Sequence, residues 1–391
     1  MYEQLKRDCK EIMKRAIDSG EIPSASLLVR QNDRELFFTA AGYGDSDKQI
    51  PIARDTIFRL YSQSKPITAA AAMILIERGS MDLCQPVSDF LPGFQNQMVE
   101  TEHGLVPPKR PVTIRDLLNM TSGTAYEGDS PAGKQYSDFF NYLIGRMDTE
   151  EALTTWEAMN QAGRLPLLFH PGESFCYGIS ADILGAAIEV ASGISFGKFL
   201  EQEIFGPLNM KDTGFYIKKE SLNRLAKTYE KKEDGFSIYT GNHLGISHTM
   251  SEPPAFESGG AGLCSTVDDY AAFAQMLLNH GSCCGHQILK PHTVQFFTHG
   301  SLYDHQQAAF DSRFLYKSGY TYGNLMRVMV SPGHAGTLCP LGEYGWDGWL
   351  GPVFSNCPNE QLTFLFMTQK TDSGTLSVAR KLMNRVWSEI V

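Results

Sequence analysis

Ser62-Gln63-Ser64-Lys65 places a hydroxyl and an amine three residues apart, at the head of an apolar run from Pro66 to Ile76 that Gly79 closes. The run reads as a buried helix, and Pro66 fits its first turn, where an N–H has no partner anyway. A serine at a helix start has its developing anion favoured by free N–H groups and the helix dipole. A lysine three residues on returns to the same face. If it is desolvated, its pKa falls toward ~7–8 and the amine becomes a general base. The motif is therefore a candidate nucleophile with its own base. A capping serine followed by a solvated lysine would give the same letters, but the helix behind is too apolar for a surface helix.

Two further clusters could complete such a site. In His170–Ser180, Pro171-Gly172 marks a turn, Phe175 to Tyr177 a short extended piece, and Ser180 a possible cap for a helix over Ala181–Ala191. Tyr177 on that loop can face a cleft, where its phenolate would share in proton transfer. In Tyr344-Gly345-Trp346-Asp347-Gly348-Trp349-Leu350-Gly351, three glycines in eight residues let a substrate approach the backbone. A backbone N–H there could join that of Ser62 as an oxyanion hole.

In this order, the three elements resemble the serine β-lactamase and penicillin-binding-protein superfamily, closest to the class C-type branch with its esterase, D-aminopeptidase and acyltransferase members. The resemblance extends over nearly the whole chain, through Glu21-Ile22-Pro23, Val112–Gly123 and Ser258–Thr266. It implies that Ser62 is acylated, that Lys65 and Tyr177 are its partners, and that the N–H groups of Ser62 and Trp349 form the oxyanion hole. Trp346, Asp347 and Gly348 would then border the substrate. The departures are informative. Ile179 stands where β-lactamases carry asparagine, Trp346 where they carry lysine, and Asp347 adds a negative charge that should repel a substrate carboxylate. These changes point away from β-lactams, toward an ester or amide without a carboxylate beside the scissile bond.

A rival nucleophile is Ser195 in Gly193-Ile194-Ser195-Phe196-Gly197, a G-x-S-x-G pattern. That elbow requires a strand running into a helix. Here the preceding segment is helical by period, so Gly193 reads as a C-cap and Ser195 as the cap of a helix over Phe196–Phe205.

The elements that must hold these residues are legible in outline. A helix, Tyr2–Ser19, leads into a hairpin, Ser24–Arg30 and Glu35–Ala41; strands follow late in the chain, around Gly323–Val330, Gly351–Asn356 and Leu362–Thr368, before a final helix Leu376–Ile390. The resemblance implies an α+β fold of β-lactamase/transpeptidase type in a single 1–391 catalytic domain. Residues 1–60 and 286–391 would form an antiparallel sheet flanked by helices, residues 61–285 a mostly helical lobe, with the site in the cleft between. Segment Met120–Lys134 reads as a loop at the cleft mouth, with Tyr126 a candidate substrate contact. The loop Tyr239–Glu257 is a second candidate.

Composition excludes several classes. A net charge of −10 argues against nucleic acid as a partner. Ten histidines show no metal-ligand spacing, and Gly259-Gly260-Ala261-Gly262 lacks the lysine of a P-loop, so neither a metal nor another cofactor is implied. Eight scattered cysteines suit a reducing compartment. The charged N-terminal segment has no apolar signal core and no stretch is long enough to span a bilayer, so a cytoplasmic location with no membrane partner is expected. The expected activity is that of a serine hydrolase acting on a small ester or amide through an acyl-enzyme on Ser62. A β-lactamase or D-amino-acid peptidase, an acyltransferase to a small acceptor and a non-catalytic scaffold are the alternatives.

Overall fold

The structure, a computed structural model, describes residues 2–390. Its frame is an eight-stranded sheet built from both ends of the chain. In spatial order its strands are Tyr320–Gly323, Met326–Met329, Tyr344–Asp347, Val353–Cys357, Leu362–Met367, Ser24–Gln31, Arg34–Asp45 and Ile50–Pro51. Every pairing is antiparallel. Ser24–Gln31 lies in the middle, paired from Ser26 opposite Met367 to Gln31 opposite Leu362. Its hairpin closes at Asn32 and Asp33, both with positive φ (48° and 62°), the geometry that matches strand twist in a two-residue turn.

Helices cover both faces. Phe354 faces Leu365 across the ladder and Phe364 faces Ser355, so successive residues put the two phenylalanines on opposite sides. The Val267–Leu278 helix packs Tyr270 on Phe354, with ring centroids 5.3 Å apart. The C-terminal helix, Ser377–Ile390, packs Trp387 near Phe364 at 6.1 Å, beside the N-terminal helix Glu3–Asp18.

The Lys65–Glu77 helix is buried on all sides from Lys65 to Leu75. Four consecutive alanines, Ala69 to Ala72, combine high helix propensity with small volume, so the Ser180–Ser192 helix packs closely against it. Gly79, at φ 70°, takes the left-handed conformation just past its end.

Several sequence expectations are corrected. The single strand around Gly323–Val330 is a hairpin, turning at Asn324 and Leu325 with φ of 51° and 61°. The loop expected over Met120–Lys134 ends at Ser130, whose hydroxyl accepts the Gly133 N–H at 3.1 Å and caps the Pro131–Arg146 helix. Ser180 does not cap its helix. Its hydroxyl is instead bonded to Ser122 at 2.9 Å, inside the core. All eight cysteines are free thiols, and no single helix among the described residues is long and apolar enough to cross a membrane.

Candidate active site

Ser62 lies in a 3-10 turn, Tyr61–Ser64, that runs directly into the Lys65–Glu77 helix. Tyr61 before it holds a positive φ of 47°, costly for a bulky side chain and kept only where packing enforces it. The packing is aromatic: Tyr61 lies 4.9 Å from the Trp349 ring and 5.7 Å from the His243 ring, and those two rings lie 4.1 Å apart, tilted by 34°. The turn is thereby tied to the loop after the Tyr344–Asp347 strand. Gly348 makes that approach possible, since a Cβ there would run into the Leu60 carbonyl oxygen. Gly348 N–H is used up on the Pro352 carbonyl at 2.9 Å. Among the described residues, the N–H groups of Ser62 and Trp349 donate to no backbone acceptor. An oxyanion hole needs two such free amides. Asp372, accepting from Trp349 Nε1 at 2.9 Å, fixes the indole.

Lys65 is fully buried. Its Nζ lies 3.0 Å from Ser62 Oγ, 3.1 Å from the Tyr126 hydroxyl and 2.8 Å from the Gly260 carbonyl. Burial dominates its titration and brings the pKa down to about 7, with Asp182 and then Asp347 pulling the other way. The amine is therefore neutral in a substantial fraction of molecules at neutral pH, and in that form it can take a proton from Ser62.

Tyr177 also faces this amine, with Lys65 Nζ 4.7 Å from the ring centroid. Its hydroxyl accepts from Trp346 Nε1 at 2.8 Å and faces Ser62. Burial pushes the phenol far above its ordinary range. Tyr177 is thus a neutral phenol, and the phenolate expected from the sequence is corrected, because desolvation outweighs the hydrogen bonds with Ser62 and Trp346.

The candidate substrate contacts divide. Tyr126 lines the cleft and touches Lys65, so it belongs beside the reacting atoms rather than in an outer pocket. Trp346 is buried behind Tyr177. Asp347 is buried in an ion pair with Lys317 at 2.6 Å and accepts from the Thr375 hydroxyl. The repulsion of substrate carboxylates expected from Asp347 is therefore corrected: its charge is compensated, and it is absent from the cleft lining. Ile179 is likewise buried.

The cleft has a volume of about 1020 Å³. Tyr61, Phe140, Phe175, Tyr177 and Trp349 supply its aromatic walls, while Glu127, Asp129, Asp372 and Arg313 stand on it as charges. Glu127 and Asp129 fall in the Met120–Lys134 segment and His243 in the Tyr239–Glu257 loop, both read from the sequence as cleft candidates, whereas Asp372 escaped sequence reasoning, since nothing local marks a loop residue as facing a distant serine. Asp182, beside Lys65, carried a readable signal: it is the one charge in the otherwise uncharged run Ser180–Ile188. Ser195 caps the Phe196–Leu200 helix, as read from the sequence, accepting the Lys198 N–H. It forms no elbow. No group of potential ligands for a metal ion is found among the described residues.

A serine held against a buried, deprotonatable lysine on this fold defines a serine hydrolase. The chain matches the family model described as Beta-lactamase over residues 9–385, and it belongs to that family. It is similar to the esterase EstB of Burkholderia gladioli, at 28% identity over 87% of this chain and 84% of that protein. It is also similar to the acyltransferase calJ of Penicillium decumbens, at 26% identity over 88% and 84% of the two chains. Among solved structures, EstCE1, a hydrolase with promiscuous acyltransferase activity, superposes with a TM-score of 0.83 at 25% identity, covering 98% of this chain and 99% of its own.

Proposed function

We propose that this protein cleaves a carboxylic ester through an acyl-enzyme on Ser62, and that the roles divide as follows. Neutral Lys65 takes the Ser62 proton as the oxygen attacks the acyl carbon. The N–H groups of Ser62 and Trp349 hold the tetrahedral oxyanion. The proton on Lys65 passes to the departing alcohol, with the neutral Tyr177 hydroxyl beside the leaving oxygen. Water, activated by the same amine, then releases the acid. The observation that carries this reading is the 3.0 Å contact between Ser62 Oγ and a fully buried amine.

The cleft favours a neutral or cationic small molecule with an apolar acyl group, since Glu127, Asp129 and Asp372 outnumber Arg313 on aromatic walls. A second reading, transfer of the acyl group to a small alcohol, is supported by the size of the cleft. Its volume is at the upper end of the usual range for ligand sites, ~300–1,000 Å³, and leaves room for an acceptor beside the acyl chain. Turnover of a short p-nitrophenyl ester and of nitrocefin by wild type and Ser62→Ala tests the assignment. Ester cleavage lost in the variant, with little nitrocefin turnover, is expected. Ester cleavage that survives in Ser62→Ala would remove the nucleophile. An added alcohol that yields a new ester product would establish the transferase reading.

A further inference from the structure

We propose that Asp182 is a positioning residue for this reaction: through the Tyr126 hydroxyl and the Gly260 peptide groups it holds the Lys65 amine against Ser62 and stabilises the ammonium that forms when the serine proton arrives. The inference rests on the Ser62–Lys65 mechanism above and adds a second layer behind it.

Asp182 lies in the first turn of the Ser180–Ser192 helix and is fully enclosed, with 1% of its surface exposed. A carboxylate in such a place is costly unless every lone pair is used. One oxygen is well served: Oδ1 accepts from Ser258 Oγ at 2.5 Å and from the Gly260 N–H at 3.0 Å. The Gly260 carbonyl in turn accepts from Lys65 Nζ at 2.8 Å. Asp182 therefore fixes the residue whose carbonyl fixes the amine.

The other oxygen, Oδ2, has no hydrogen-bond donor, although it is buried. Its neighbour is the Tyr126 hydroxyl. A Cβ on Gly260 would lie 2.7 Å from Asp182 Oδ2 and 2.6 Å from the Tyr126 hydroxyl oxygen, so the two atoms converge on the space that glycine leaves open. Tyr126 accepts from Lys65 Nζ at 3.1 Å, which leaves its own hydrogen to donate. Oδ2 is the open acceptor beside it. With Tyr126 donating to Oδ2, a chain forms in which Lys65 donates to Tyr126 and Tyr126 donates to Asp182.

The proton count is simple. One proton leaves Ser62 and arrives on Lys65, and the negative charge goes to the oxyanion. Tyr126 keeps its proton, because burial holds its phenol far above neutrality. Burial raises the pKa of the Asp182 carboxyl; the Ser258 hydroxyl, the Lys65 amine and the Gly260 N–H pull it back, and as the carboxylate it supplies charge and orientation. The other groups facing Lys65 cannot take this part. Tyr177 is a neutral phenol engaged by Trp346, and Asp347 is compensated by Lys317.

The test is the pH profile of kcat/KM for the p-nitrophenyl ester, measured on wild type, Asp182→Asn and Tyr126→Phe, with melting temperatures and with Ser62→Ala as the blank. Asp182→Asn removes the charge and keeps the shape. It is expected to lower kcat about 10- to 100-fold with little change in KM, and to move the acid limb to lower pH, because a neutral amide no longer favours the ammonium. Tyr126→Phe cuts the chain while leaving Ser258 and Gly260 bound to Asp182, and it is expected to move the limb the same way. It carries the test alone should Asp182→Asn fail to fold. A limb that stays at the wild-type pH would overturn the proposal, whatever the loss of rate, since a purely structural role lowers the amount of active enzyme and not the pKa. Absence of Ser62-dependent turnover in wild type would instead overturn the mechanism on which the proposal rests.

Discussion

The indole N–H of Trp346 donates to the Tyr177 hydroxyl at 2.8 Å, with the two ring centroids 5.5 Å apart. The tryptophan that replaces a lysine in the third motif has turned away from the cleft and become the support of the second-motif tyrosine. Because Trp346 occupies one lone pair of the Tyr177 oxygen, the phenolic hydrogen stays free to be donated.

Trp346→Phe should therefore keep the packing and release the hydroxyl. A buried neutral hydrogen bond contributes about 1 kcal/mol, so kcat/KM for the ester should fall about 5- to 10-fold. The change should appear in kcat more than in KM, since Trp346 does not line the cleft. An unchanged kcat would show that Tyr177 needs no such support.

The pH dependence follows from Lys65. The amine must be unprotonated to act as base, and burial brings its pKa down to about 7. Below that value the ammonium form dominates and kcat/KM should fall tenfold per pH unit. Above it the rate should level off. A profile flat from pH 5 to pH 8 would assign the base elsewhere.

Lys65→Met should separate chemistry from stability. Loss of a general base costs at least ~100-fold in rate. Desolvation already opposes the charged amine in the folded protein, so replacing it by an apolar side chain of similar length should leave the melting temperature within a few degrees of wild type. Ser62→Ala should be equally inactive, while Ser195→Ala should retain full turnover because its hydroxyl only caps a helix. Ester assays and calorimetry on the three variants check this.

The Ser62–Lys65 pair was legible because both partners share one helix turn, and local spacing fixes their distance. The helix behind them and the central hairpin were equally readable from periodicity and turn residues. The two tyrosines were not, in their actual roles. Tyr126 and Tyr177 come from separate loops, and only tertiary packing decides which hydroxyl meets the amine and which meets Trp346. The same holds for Asp347. From its motif it read as a cleft charge, but its compensation depends on Lys317, thirty positions away in a 3-10 turn without a sequence signature. The strand read as Gly323–Val330 failed for a local reason, an Asn-Leu turn in a segment whose apolar residues suggested continuity.

Asp347 and Lys317 give the last prediction. The two side chains are 9% and 8% exposed and 2.6 Å apart, and Lys317 holds the Asp347 carboxyl below the ordinary carboxylate range. Breaking a buried pair from one side strands the other charge and costs about 3–5 kcal/mol. Lys317→Met should therefore lower the melting temperature markedly at pH 7. The loss should shrink as pH falls and Asp347 takes up a proton: the stranded carboxylate is the source of the penalty, and protonation removes it. Asp347→Asn should not by itself create nitrocefin turnover, since the charge it removes is already compensated and lies outside the cleft. Thermal melts of Lys317→Met from pH 4 to pH 8, beside nitrocefin assays of Asp347→Asn, check both parts. A strong gain in nitrocefin turnover would show that Asp347 acts on the substrate after all.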